Sequence, residues 1–319
     1  MVRKKFRVIA ILTTLASITM HVINKIINYT ATIDNLLKGT EDNYYEWRFG
    51  KIHYQKSGSG SPILLVHDLN AYSSSYEWNK IIKYLSKINT VYVLDLLGCG
   101  LSQKPNLTYT NYLYVQLISD FIKHIIGEKS DIVVTGSSSS FILMSCNNNE
   151  DLIGKIILIN PESIAEMAKI PTKRTKIVKF IINMPIIGTL VYNIIGTRNR
   201  IDTVFKTEYF YNPMKVETSM IDTYYESLHT QNANSKFLFS SIKGRFTNIN
   251  ILHCLNKINN SIYIITGKAS SDGQLIAEQY QNYIPSIEII SIDKTKHLPQ
   301  LEYPFALVEQ INILFGTEQ

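Results

Sequence analysis

Residues 132–144 read IVVTGSSSSFILM, a serine run between two apolar stretches. A flexible polar tract has no reason to sit between two segments that want burial, so the run is expected to be a tight turn. A serine can attack a substrate from such a turn if it is held exposed, with small residues two before and two after it. With Gly136 at the first small position, the apex is Ser138 and the second small position is Ser140. Serine also needs a base. His297, in Thr295-Lys296-His297-Leu298-Pro299-x-x-Glu302-x-Pro304, is placed to be one. A neutral imidazole, with a pKa near ~6.5, takes a serine proton and returns it to a leaving group.

The elements that must position these groups follow from hydrophobic periodicity. Short β-branched runs predict strands at 63–66, 91–94, 132–135, 155–159, 261–266 and 287–292. Apolar residues at three- and four-residue spacing predict helices at 76–88, 112–126, 140–146, 274–282 and 304–315. A hairpin with Gly50 at its turn is expected over Tyr44–Tyr54. Strand–helix alternation of this kind calls for an α/β fold: a mainly parallel, twisted sheet with helices on both faces. Between the strands ending at Ile159 and beginning at Ser261 lies a long helical and aromatic stretch, expected to be an inserted helical lid at about 162–255.

Two further landmarks end predicted strands. His67-Asp68-Leu69-Asn70 follows Ile63-Leu64-Leu65-Val66 and leads to Ser73-Ser74-Ser75-Tyr76-x-Trp78. Asp95-Leu96-Leu97-Gly98-Cys99-Gly100 follows Val93-Leu94. Together with the serine turn and the histidine loop, in this order, they resemble the α/β-hydrolase fold, in particular its lid-bearing esterase, haloperoxidase and C–C hydrolase members. The resemblance spans about residues 44–316. It implies Ser138 as nucleophile, His297 as general base, and the backbone amides of Leu69 and Ser139 as the oxyanion hole. For the acid it points to Asp272, in a loop longer than usual, with Glu162 as the alternative and Asp293 as a remote third. Asp95 reads as a brace for the Gly98/Gly100 turn. Two positions depart from the family pattern. Asp68 stands where glycine is usual, bringing a carboxylate close to the oxyanion site, and Ser140 stands where glycine is usual after the nucleophile.

The implied activity is hydrolysis of an ester or related acyl substrate, a small and hydrophobic molecule, with no metal, nucleotide, flavin or other cofactor. An epoxide or haloalkane mechanism is disfavoured, because it asks for an aspartate at the turn's apex. The alternative is a non-catalytic protein of this fold that binds or scaffolds at a membrane.

Charge and cysteines narrow the rest. The formal charge is +6, but Arg3, Lys4, Lys5, Arg7 and Lys25 fall in residues 1–30 with no acid among them. The remainder is nearly neutral, which gives no reason to expect nucleic acid as a partner. The three cysteines have neither disulfide-frame nor zinc spacing. Residues 8–27 are mostly apolar after a basic cluster, and about 20 such residues cross a bilayer. Residues 1–30 are therefore expected to be an uncleaved single-pass anchor in the cell membrane, followed by a polar spacer at 31–43. The basic flank puts the main domain on the extracytoplasmic side. Residues 167–201 hold seven Lys/Arg and no acid, interleaved with apolar runs. They read either as a lid with a solvated basic face or as a lid leaning on an anionic bilayer.

Overall fold

A computed structural model describes residues 2–39 and 42–316. Eight strands form one sheet: β1 Asn43–Trp47, β2 Gly50–Ser57, β3 Ser61–Val66, β4 Asn89–Leu94, β5 Ser130–Thr135, β6 Ile153–Ile159, β7 Ile262–Gly267 and β8 Glu288–Ile292. Their order is β1-β2-β4-β3-β5-β6-β7-β8. The β1–β2 and β2–β4 pairings are antiparallel and every other one is parallel. The expected hairpin is present, turning at Arg48-Phe49 with Gly50 opening β2 at φ +146°.

The parallel strands are apolar on both faces. Leu64, Val66, Leu94, Ile132 and Val134 join one core layer. Ile63, Leu65, Val91, Val93 and Val133 join the other. Burial on both sides explains why these runs are continuously aliphatic and not alternating. The principal helices are α1 Val2–Thr32, α2 Asn111–Phe121, α3 Ser139–Asn148, α4 Lys173–Asn183, α5 Ile187–Ile195, α6 Thr218–Ala233, α7 Lys236–Lys243, α8 Gly273–Tyr283 and α9 Pro304–Phe315. Residues 76–88, expected as one helix, instead form a 3-10 turn at Ser75–Trp78 and a single α-turn at Ile82–Leu85. Trp78, Ile81 and Leu85 keep the helical spacing and are fully buried, but the Ser75 amide is held by Asp95, which fixes the entry as a loop.

Helices α4 to α7 all lie between β6 and β7. Helix α1 leaves most of its length exposed and docks its C-terminal end on this insertion, not on the sheet. Asn24 Nδ2 donates to Ile186 O at 2.9 Å, Asn193 Nδ2 donates to Asn24 Oδ1 at 3.0 Å, and Lys25 Nζ donates to Asn232 Oδ1 at 2.9 Å. The loops bearing His67, Gly98, Gly136, Asn160 and His297 all follow the carboxyl ends of strands, the edge at which open α/β sheets build their sites.

Candidate active site

The turn after β5 is built around glycine. Gly136 adopts φ +59°, and helical geometry begins at once: a 3-10 turn over Gly136–Ser138 runs into α3. Only glycine takes the left-handed region without steric cost. The left-handed residue of the turn is therefore Gly136. Ser138 has ordinary helical angles, φ −61° and ψ −22°, and is fully buried with its Oγ donating to His67 O at 2.6 Å.

A carboxylate from the neighbouring loop fills the space that a side chain at 136 would occupy. A Cβ on Gly136 would lie 2.4 Å from Asp68 Oδ1 and 2.6 Å from its Cγ. Asp68 Oδ1 accepts from Ser137 N and from Ser137 Oγ, each at 2.9 Å. Asp68 Oδ2 lies 3.5 Å from His297 Nε2. Both side chains keep a window to solvent, with 15% of the Asp68 side chain and 25% of the His297 side chain exposed. Burial alone would push the imidazole pKa down, but the Asp68 bond and charge, with Glu77 and Glu162 behind, raise it. Burial would likewise raise the Asp68 carboxyl, and His297 and Ser137 outweigh it, holding the pKa below the ordinary range. Each group thus favours the charged form of the other, imidazolium beside carboxylate.

The histidine loop is held from two sides. Asn160, at φ +42° just past β6, donates from Nδ2 to Lys296 O and His297 O at 2.9 and 3.0 Å, and accepts from Gly267 N at 3.0 Å. From the insertion, Tyr209 O accepts from His297 N, and the Tyr209 ring stacks on the imidazole with centroids 4.7 Å apart. The Tyr209 hydroxyl pairs with that of Tyr72 at 2.7 Å. Both phenols are raised by burial and, among other charges, by that of Asp68, so they are neutral proton donors at working pH. Behind Asp68 sits Glu77, fully buried, accepting from Asp68 N and Gln300 Nε2. Burial and the Asp68 charge lift its pKa to about 7.

The model of the alpha/beta hydrolase family matches residues 63–311. The chain belongs to the alpha/beta hydrolase family. A soluble epoxide hydrolase of Corynebacterium sp. is 26% identical over 110 residues, covering 34% of this chain and 38% of that protein. The chain thus matches just over a third of that relative's length. Among solved structures, a serine hydrolase of carbazole degradation has a TM-score of 0.69 at 17% identity, covering 87% of this chain and 99% of its own. A membrane phospholipase A has a TM-score of 0.68 at 14% identity, covering 99% of both chains. At these identities the two structures share the fold.

Within this alpha/beta hydrolase, the residues expected from sequence fall unevenly. His297 stands at the centre. Ser138 lies two residues beyond Gly136, and its hydroxyl donates to His67 O and makes no hydrogen bond to His297. The Ser139 amide is spent inside the turn, on Gly136 O and Ser137 O, so the amide that faces the site is that of Ser137. The Leu69 amide makes no hydrogen bond among the described residues and is free to join it. Asp272 does not reach the histidine. It is exposed at the start of α8 and accepts from Ser271 Oγ. Glu162 acts on His297 through its charge, its own pKa raised by burial, while its carboxylate accepts from Ser163 N. Asp293 pairs with Lys268 at 2.8 Å on the surface. Asp95 braces its turn as expected, accepting from Ser75 N and Leu101 N. Asp68, read as an intrusion, is the carboxylate in contact with His297. Among the described residues no cluster of His, Cys, Asp or Glu is arranged to hold a metal ion.

Proposed function

We propose that this alpha/beta hydrolase works through Asp68 and His297, with Asp68 acting as a carboxylate nucleophile delivered from the β3 loop into the place of the missing side chain at 136. The observation that carries the reading is the position of the carboxylate: one oxygen on the Ser137 amide, the other facing the imidazole. A carboxylate attacking an ester would give an energy-rich anhydride, whereas attack on a strained or activated sp³ carbon gives an ordinary ester. The Tyr72–Tyr209 hydroxyl pair supplies a proton for a leaving oxygen. These points favour a hydrophobic epoxide as substrate class over an acyl ester.

In this scheme Asp68 Oδ2 attacks a ring carbon, the carbon–oxygen bond breaks, and the departing oxygen takes a proton from the tyrosine pair. The product is a hydroxyalkyl ester of Asp68. Esterification removes the negative charge that favours the imidazolium, so the imidazole is more readily neutral when a base is needed. Water then attacks the ester carbonyl and gives its proton to His297. The oxyanion at Oδ1 rests on the Ser137 and Leu69 amides. Collapse releases a diol and regenerates the carboxylate, and the tyrosine pair recovers its proton through solvent. The chain is held at the cell membrane by α1, and the helical insertion acts as the lid.

The test is turnover of an epoxide panel in water labelled with heavy oxygen. Asp68→Asn and His297→Gln are expected to lower kcat by roughly 10³-fold or more, while Ser138→Ala stays within a few-fold of the parent. The label is expected in the peptide carrying Asp68. Fluorophosphonate labelling of Ser138 would overturn the proposal in favour of a serine esterase. Folded protein inert to both probes would point to a binding role.

A further inference from the structure

Helices α4 and α5 meet at a bend of 105° around residues 184–186. This corner is continuous with α1. Ile186 O accepts from Asn24, and Ile186 lines a cleft together with Ile18 and His21 of α1. α1 is the one described helix long and apolar enough by itself to cross a membrane. At 1.5 Å per residue, Ile18 lies about 13 Å and His21 about 9 Å along the helix from Ile27, where the apolar stretch ends. Whatever depth α1 gives those residues, Ile186 shares it.

The composition of the corner suits that depth. α4 begins with Lys173, Arg174 and Lys176, all exposed and without an ion pair among the described residues. It then turns apolar, with Ile177 and Phe180 exposed at 58% and 69%, and beyond the bend Ile187 and Ile194 are exposed at 44% and 65%. No acid occurs anywhere in 167–201. The exposed basic residues of α4 lie at its end away from the bend and the exposed apolar ones nearer it, with Lys179 among the latter turned onto the Phe246 ring, an order that matches headgroups and then acyl chains.

We propose that the α4–α5 corner is a second membrane-embedded element, seated in the leaflet that holds the C-terminal end of α1. Its apolar residues lie among acyl chains, and Lys173, Arg174 and Lys176 lie on anionic lipid headgroups. The proposal rests on α1 spanning the bilayer.

The full chain is reconstituted in phosphatidylcholine vesicles with and without phosphatidylglycerol, using acyl chains brominated near the headgroup end. Phe180→Trp and Ile187→Trp report contact with lipid, and Met214→Trp, at a site exposed at 91%, reports water. The native Trp47 and Trp78 are buried and give a constant background. Quenching at 180 and 187 but not at 214 is expected. Combining Lys173→Glu, Arg174→Glu and Lys176→Glu should at least halve it in the anionic vesicles and leave it unchanged in the neutral ones. Protease protection of α1 is scored on the same samples. A protected α1 with no quenching at 180 or 187 overturns the proposal and leaves the anchor standing, while an unprotected α1 overturns both. A blue shift that follows protein density without bromine quenching would mean that a second copy of the chain covers the corner, which also overturns it.

Discussion

At the scale of single residues, the site turns on an exclusion between positions 136 and 68. A side chain at 136 would meet the Asp68 carboxylate at 2.4 Å, so the carboxylate would have to leave its present seat. Gly136→Ser alone should therefore be destabilising, by the clash and by the left-handed backbone, and a fall in melting temperature reads it out. Gly136→Ser combined with Asp68→Gly removes the clash and puts a hydroxyl next to the Ser137 amide and His297. The double variant is expected to react with a fluorophosphonate, and His297→Gln in that background to lose the labelling. A double variant that melts like the parent and stays unlabelled would show that the turn does not present position 136 to the histidine. His297 was legible in the sequence because strand end and loop pattern agree. The apex was not, because the small-x-Ser-x-small frame fits Ser138, between Gly136 and Ser140, while the turn's left-handed residue is Gly136 itself. What distinguishes the apex is φ above zero, and the sequence carries that only as the identity of Gly136 itself. The partner of the imidazole was hidden for a related reason: Asp68 reaches it through space from another strand, and spacing along the chain favoured Asp272.

At the scale of elements, the sheet's antiparallel edge is pinned by a buried charge cluster that the hydrophobic pattern does not reveal. His53 on β2 contacts Asp95 after β4 and Asp42 ahead of β1, each at 2.8 Å, with its side chain 1% exposed. Burial lowers the imidazole pKa, but the bonds and charges of Asp95 and Asp42 outweigh it and lift the value to about 9. A raised folded-state pKa means the stabilisation is complete below the unfolded value of ~6.5 and is lost as pH rises through about 9. The shift corresponds to about 3 kcal/mol. Urea midpoints are expected to decline across this alkaline window, and His53→Asn should start lower and flatten the decline. Asp95 shifts the opposite way: burial would raise its pKa, the His53 bond outweighs this, and its contribution fades only in strong acid. Strands and long helices were legible because both faces of the sheet demand aliphatic runs. The broken 75–85 segment was not, because its apolar spacing is helical while its hydrogen bonds belong to Asp95.

At the scale of the whole molecule, α1 reports to the insertion and the insertion reports to the histidine. Asn24 is buried between Ile186 and Asn193, while Tyr209, from the same insertion, holds the His297 backbone and ring. Asn24→Ala leaves the buried Asn193 amide without its acceptor, a loss of about 1–3 kcal/mol, while Ile186 O keeps its bond from Leu190 N. It should raise hydrogen exchange across α5 while β3 and β5 keep their protection. Equal loss in sheet and insertion would show that the two unfold as one unit. The close approach at the β5 turn also bears on how the turn can be altered. Neither single change gives a serine site, because Gly136→Ser meets the carboxylate and Asp68→Gly leaves an empty apex. The two positions therefore act as a single unit: what one of them can carry depends on what stands at the other. Any redesign of this turn must therefore treat them together, changing 68 first so that 136 can then accept a side chain.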